Sequence, residues 1–256
     1  MRSMLYGALC ALMFSLLTTV VSSAEPAAPV AATSSAPLSP PGPSGLLVDW
    51  GGVLTGPMDE AMRSWTARDG VRLDHFHDVM SCWAGLFQES GPTVTGSPVH
   101  ALERGELDRT EFEVLLAEAL AGRGSPVPAE GLLDRLLGGL AGLAENMAGL
   151  VRRARAAGIR TALLSNSWGD HYPEQLWDGL FDAVVISGRV GMRKPEPEIF
   201  RHTAELLGLE PADCVMVDDL PHNIHGAVAT GMIGVHFRTY DQTAEELEAI
   251  FDIPLR

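Results

Sequence analysis

The chain is punctuated by short apolar runs that each stop on a polar residue. Leu46-Leu47-Val48 ends at Asp49, Thr161-Ala162-Leu163-Leu164 at Ser165-Asn166, Ala183-Val184-Val185-Ile186 at Ser187-Gly188, and Cys214-Val215-Met216-Val217 at Asp218-Asp219. Ile233-Gly234-Val235-His236-Phe237 is a weaker member of the series. Runs this short and this apolar read as strands buried on both faces, the mark of a parallel sheet with helices on each side. The crossover helices that such a sheet requires are legible too. Met147, Leu150, Val151 and Ala154 fall at i, i+3, i+4 and i+7, and Gly158 supplies the stop. Residues 198–207 form another helix, closed by Gly208. Thr243-Ala244-Glu245-Glu246 has capping-box spacing and predicts that the last helix starts there, with Leu247, Ile250 and Phe251 on one face. The expected fold class is α/β.

Residues 57–140 break this pattern. They carry no comparable strand signal, and segments 58–67, 74–87, 98–103, 111–120 and 132–140 look helical. Asp108-Arg109-Thr110-Glu111 resembles an N-terminal cap. A helical insertion directly after the first strand is expected to stand over the strand ends as a cap, leaving 45–56 and 141–256 as the core. The start of the chain is different again. Arg2, an apolar run and then Ser22-Ser23-Ala24 make residues 1–24 a secretory signal pattern with cleavage after Ala24. The alternatives are an uncleaved anchor, or an upstream extension of a cytoplasmic protein whose domain begins near Ser44. Residues 25–44 are rich in Ala, Pro and Ser without periodicity and read as a disordered linker.

The formal net charge is −15, and residues 1–45 hold only Arg2 and Glu25 as charges, so the rest of the chain carries it. Such a surface repels nucleic acid and anionic membranes, and no basic stripe offers itself to a phosphate backbone. Cys82 and Cys214 are expected as two buried thiols, since their spacing favours no disulfide. His75 with His77, and His222 with His225, are too few and too poorly spaced for a zinc site. Without a GxSxG motif, a serine-esterase reading has no support.

The polar residues that end the runs belong together, because in open α/β sheets the carboxyl edge of the strands is where ligands bind. Asp49, Ser165, Asn166, Asp218 and Asp219 all fall there. Lys194 joins them from Gly191-Met192-Arg193-Lys194-Pro195-Glu196-Pro197; it is the chain's only lysine among eighteen basic residues. Several carboxylates in one cleft repel unless a cation joins them, and hard oxygen ligands favour Mg²⁺. The lysine offsets the same charge and reaches a substrate anion, while a Ser hydroxyl and an Asn amide add neutral donors. That combination suits phosphoryl transfer, with Asp49 as the nucleophile.

The arrangement resembles the haloacid dehalogenase superfamily over nearly all of 45–256. LLVDWGGVLT matches its first motif, with Asp49 at the nucleophile position. LLSNSW matches the second at Ser165, the lysine–proline pair at Lys194 the third, and VMVDDLPHNI the acidic fourth at Asp218 and Asp219. The second half is most similar to the phosphatase domain of soluble epoxide hydrolases and to bacterial sugar-phosphate phosphatases, and ERGELDRTEF to the family's helical cap. The resemblance implies a three-layer Rossmann-like core with an inserted α-helical cap. It also implies a Mg²⁺-dependent phosphatase acting on a small phosphorylated metabolite through an aspartyl-phosphate. Asp49, the Gly51 carbonyl and Asp219, with Asp218 beside it, would hold the metal. Ser165, Asn166 and Lys194 would hold the phosphoryl oxygens, and Lys194 would also be catalytic.

One position departs from the family. The second acid, two residues after the nucleophile, is Gly51 here. General acid–base catalysis contributes about 10²–10⁴-fold, so the alternative is a catalytically weak or non-catalytic binding protein. A dehalogenase dispenses with the metal, and the acidic pair argues against that reading.

Overall fold

The computed structural model describes residues 42–84, 96–140, 142–169 and 172–256. The leader expected over 1–24 and most of the linker expected over 25–44 lie outside the described residues, as does the end of the helix expected over 74–87. No helix among the described residues is long and apolar enough to cross a membrane.

Strands β1 (Gly45–Val48), β2 (Arg160–Ser165), β3 (Ala183–Ile186), β4 (Cys214–Asp218) and β5 (Ile233–His236) form one parallel sheet in the order β3-β2-β1-β4-β5. The helices in chain order are α1 (Met58–Asp69), α2 (Leu73–Ala84), α3 (Pro98–Glu103), α4 (Arg109–Gly122), α5 (Leu132–Leu137), α6 (Glu145–Ala156), α7 (Ser187–Val190), α8 (Pro197–Leu206), α9 (Pro221–Ala229) and α10 (Tyr240–Phe251). Side chains alternate across the sheet as the pleat demands. Leu46, Val48, Leu163, Val215 and Val217 pack with Leu150 and Val151 of α6 and Leu247 of α10. Leu47, Ala162, Leu164, Cys214 and Met216 pack with Phe200 of α8 and Ala227 of α9. Burying each of the larger aliphatic side chains is worth about 1.5–3 kcal/mol, which is why these runs tolerate almost no polar residue before their last position. The result is a three-layer Rossmann-like α/β fold.

Between β1 and β2 the chain leaves the sheet for α1 to α5, which enclose an apolar cluster of their own that includes Trp65, Phe76, Phe112 and Leu116. Helix α4 begins with a capping box: Asp108 accepts from the backbone of the first turn, and the Glu111 side chain reaches back to the Asp108 amide. The helix expected over 132–140 ends at Leu137 and tightens into a 3-10 turn at Gly138–Leu140. A Cβ at Gly139 would sit 3.0 Å from the Ala61 Cβ, so glycine lets this turn lie against α1.

Two expectations need correction. The last helix does not begin at Thr243. It starts at Tyr240, with Thr239 as its N-cap accepting from the Gln242 amide 3.3 Å away, and Thr243 is fully buried inside it. Thr239 and Gln242 have capping spacing of their own, and the Gln242 side chain accepts from the Arg238 amide. The upstream cap wins because starting there gives the helix another turn of backbone hydrogen bonds. The second correction is Cys82, which is exposed on α2, whereas Cys214 is buried and its thiol is pushed up to about 12 by desolvation.

Candidate active site

Register brings the strand-end residues into one place. Val48 pairs with Leu163 on one side and Val217 on the other, so Asp49, Ser165 and Asp218 emerge at the same edge of adjacent strands. The Asp49 amide continues the ladder to the Val217 carbonyl at 3.0 Å. The chain runs outward from β1 to β2 and β3 and then returns to β4 beside β1, so Asp49 sits at the topological switch point of the sheet.

Lys194 arrives from the segment between α7 and α8 and is 1% exposed. Its Nζ donates to Asp49 Oδ1 at 2.6 Å, to Asp218 Oδ2 at 2.6 Å and to the Leu164 carbonyl at 2.9 Å. All three ammonium hydrogens are therefore placed. Its backbone is held as tightly. Asn166 Oδ1 accepts from the Lys194 amide at 2.8 Å, and Asn166 Nδ2 donates to the Lys194 carbonyl at 3.0 Å. Asn166 commits its carbonyl and one amide hydrogen to positioning Lys194, a second role beside the donation to substrate oxygens expected from the sequence. Gly226 on α9 allows the neighbouring approach, because a Cβ there would stand 2.6 Å from the Pro195 carbonyl oxygen.

Asp218 is fully buried and fully used. Its Oδ1 accepts from the Leu220 amide and Asn223 Nδ2, and its Oδ2 from Lys194 and Asn223 Nδ2. Asn223, in the first turn of α9, had no role assigned from sequence; its place five residues after Asp218 was the available signal. Asp219 lies over the turn after Asp49. Gly52 has a φ of +79°, which favours glycine, and a Cβ there would press on the Asp219 carboxylate. One oxygen from each of Asp49, Asp218 and Asp219 lies within 4.8 Å of the others. Desolvation raises the Asp49 pKa, opposed by Lys194 and reinforced by Asp218 and Asp219. Desolvation, with Asp218 close by, raises Asp219 to about 6. Burial works against the Lys194 ammonium, yet Asp218 and Asp49 more than offset it and its pKa is raised.

Ser165 is buried at the end of β2, and its hydroxyl lies 2.9 Å from the Tyr172 hydroxyl. Nothing in the sequence points to Tyr172. It lies seven residues beyond Ser165, outside any strand or helix. Its ring stands edge-on to Trp50, 6.0 Å between centroids, and Trp50 stands edge-on to Trp177 at 5.7 Å.

Ser165, Asn166 and Gly51 line a cavity of about 540 Å³ together with residues of the inserted helices, including Met58 and Leu137. Trp168 forms part of its wall and donates Nε1 to Glu103 Oε1 of α3 at 3.2 Å. Glu103 also pairs with Arg193, both side chains buried, and Arg104 pairs with Glu196. The residues flanking Lys194 thus hold α3 beside the segment that carries it.

Known proteins resemble this chain in the same places. A family described as haloacid dehalogenase-like hydrolase matches residues 44–231. A sesquiterpene phosphatase of Aspergillus oryzae is 25% identical over 168 residues, covering 64% of this chain and 84% of that protein. Acyl-CoA dehydrogenase family member 10 of Mus musculus is 32% identical over 108 residues, 41% of this chain but only 10% of that much longer protein. Among solved structures, a HAD family enzyme of Bacteroides thetaiotaomicron in complex with magnesium and inorganic phosphate superposes with a TM-score of 0.53. It is 21% identical and covers 77% of this chain and 95% of that one, a likeness of fold.

Proposed function

Because this chain belongs to the haloacid dehalogenase-like hydrolase family, we propose that it is a Mg²⁺-dependent phosphatase of small phosphate monoesters. The observation that carries the reading is the Lys194 ammonium wedged between Asp49 and Asp218 at 2.6 Å each, with Asp219 beside them and a cavity adjoining. Three carboxylates against one ammonium leave an excess of negative charge, and a hard divalent cation with oxygen ligands fits that donor set. Asp49, Asp219 and the Gly51 carbonyl would hold it. Asp218 has both oxygens committed to other donors and acts chiefly on Lys194. The bound ion would neutralise phosphoryl oxygens.

The chain's own residues supply the rest. An Asp49 oxygen attacks phosphorus, the P–O bond to the alcohol breaks, and the phosphoryl group is carried as an aspartyl-phosphate until water hydrolyses it. Lys194 favours the ionised form of Asp49 and orients it. Ser165 and the remaining amide hydrogen of Asn166 donate to phosphoryl oxygens, and the inserted helices act as a cap that limits water. The decisive experiment is hydrolysis of p-nitrophenyl phosphate with Mg²⁺, after EDTA, and after Mg²⁺ is restored. Binding of phosphate with Mg²⁺ but no turnover of any ester would select the non-catalytic reading that Gly51 favours.

Position 51 gives a second test. A Cβ there meets only the flexible end of Met58, Cε at 3.1 Å, so a side chain can be accommodated. Gly51→Asp should raise kcat for an alkyl phosphate, whose leaving group needs a proton, at least tenfold within the ~10²–10⁴ range of acid–base catalysis. The gain with p-nitrophenyl phosphate should be much smaller. Equal gains, or none, would show that protonation of the leaving group is not what the wild type lacks.

The raised carboxyls predict a pH dependence. Asp219 binds its proton up to about pH 6 when folded but only to about 3.8 when unfolded. Its stabilising contribution is full below about pH 4 and is lost as pH rises through 6. Between pH 4.5 and 7, the EDTA-treated protein should lose melting temperature, and Mg²⁺ should recover more of it at pH 7 than at 4.5. Calorimetry of Asp219→Asn should show a flatter profile with less response to Mg²⁺.

A further inference from the structure

The walls of the cavity bear on what alcohol the phosphate is attached to. On the sheet side they are Trp50, Trp168 and Tyr172; on the inserted side they are Met58, Leu137 and Leu140. The polar handles of two of the aromatic residues are already used. Trp168 gives its indole N–H to Glu103, and the Tyr172 hydroxyl is engaged with Ser165. What they offer a ligand is therefore ring surface. Leu137 and Leu140 close the last turn of the insertion around Gly138, which has no side chain to offer. Among the described lining residues charge is confined to Arg109 and Asp134, which pair with each other, Arg109 also reaching Glu113, and the exposed Gln175 adds a single side-chain amide. Among the described lining residues Arg109 is the one cation, and its charge is answered.

A sugar or polyol phosphate would place several hydroxyls against aromatic and aliphatic walls, where a buried polar group without a partner is penalised. A nucleotide or a bisphosphate would bring a further anion to a place where the one cation among the described lining residues is already paired. A hydrocarbon alcohol loses nothing on entry and gains by covering apolar surface. A volume of about 540 Å³ lies within the 300–1,000 Å³ typical of ligand sites, far beyond the needs of a phosphoryl group alone.

We propose that the substrate is the phosphate monoester of a bulky apolar alcohol, aromatic or isoprenoid in size, with its phosphoryl group at Asp49 and its hydrocarbon body against Trp50, Trp168 and Leu137. This rests on the phosphatase reading above. The test compares kcat/KM for geranyl monophosphate and 2-naphthyl phosphate with glucose 6-phosphate and glycerol 3-phosphate, all with Mg²⁺. The apolar esters should exceed the polar pair by at least a hundredfold. Leu137→Gln should raise KM for geranyl monophosphate about tenfold or more and change kcat less. Equal or better turnover of the sugar and glycerol phosphates would overturn the substrate class and leave the phosphatase reading standing. If no ester is hydrolysed, quenching of tryptophan fluorescence by geranylphosphonate separates the two failures. Saturable quenching, weakened in Leu137→Gln, upholds the class of ligand against the chemistry; its absence sinks the class as well.

Discussion

Asp49→Asn should reduce Mg²⁺-dependent phosphate ester hydrolysis on the order of 10⁴-fold or more, to the floor of the assay, without lowering the melting temperature. The two halves have separate origins. An amide is a far weaker nucleophile than a carboxylate, and the proposed reaction has no covalent intermediate without it. Stability moves the other way because desolvation, Asp218 and Asp219 all disfavour the ionised Asp49 in the folded chain. Lys194 is the one opposing influence, and in the variant it still has Asp218 and the Leu164 carbonyl as acceptors. An amide of the same shape at position 49 relieves the repulsion at little steric cost, so the melting temperature should hold or rise at pH 7. Activity and calorimetry on one preparation check both halves. Inactivity with a melting temperature reduced by many degrees would mean that Asp49 is structural. Retained turnover would mean that the nucleophile lies elsewhere.

What could be read from the sequence was whatever depends on neighbours along the chain. Leu47 and Val48 demand burial on opposite faces, and the polar residue after them must then emerge at an edge; the same holds at Ser165 and Asp218. That is enough to give a parallel sheet and to gather Asp49, Ser165, Lys194 and the acidic pair. What the sequence does not show is decided by competition or by distance. Thr239 and Thr243 both precede cap-like spacings, and the longer helix won. Asn166 looks like a free amide until the Lys194 peptide, 28 residues on, is folded against it. Glu103 and Arg193, ninety residues apart, carry no mutual signal in sequence, yet their pair fastens α3 beside Lys194. Tyr172 is in the same position, since only the folded chain brings its hydroxyl to Ser165.

Lys194→Arg keeps the positive charge and should still remove all but about a hundredth of the activity. Both its acceptors and its surroundings argue for this. Three oxygens surround one nitrogen at 2.6, 2.6 and 2.9 Å, a convergent pattern that an ammonium satisfies from a single atom. A guanidinium spreads five donors in a plane, so no one of its nitrogens can serve Asp49, Asp218 and the Leu164 carbonyl together. The residue is 1% exposed, so the additional bulk must push on Asp49, Asp218 or the strand end. Overpacking of this kind costs about 1–3 kcal/mol, and the shift falls on the carboxylate proposed to attack phosphorus. Lys194→Met separates charge from shape. It preserves length but leaves two buried carboxylates without their cation, and loss of one partner in a buried pair costs about 3–5 kcal/mol. The expected order in melting temperature is wild type, then arginine, then methionine, with both variants nearly inactive. If arginine instead supports close to full turnover, the site needs only a positive charge, and the single lysine among eighteen basic residues is an accident of composition.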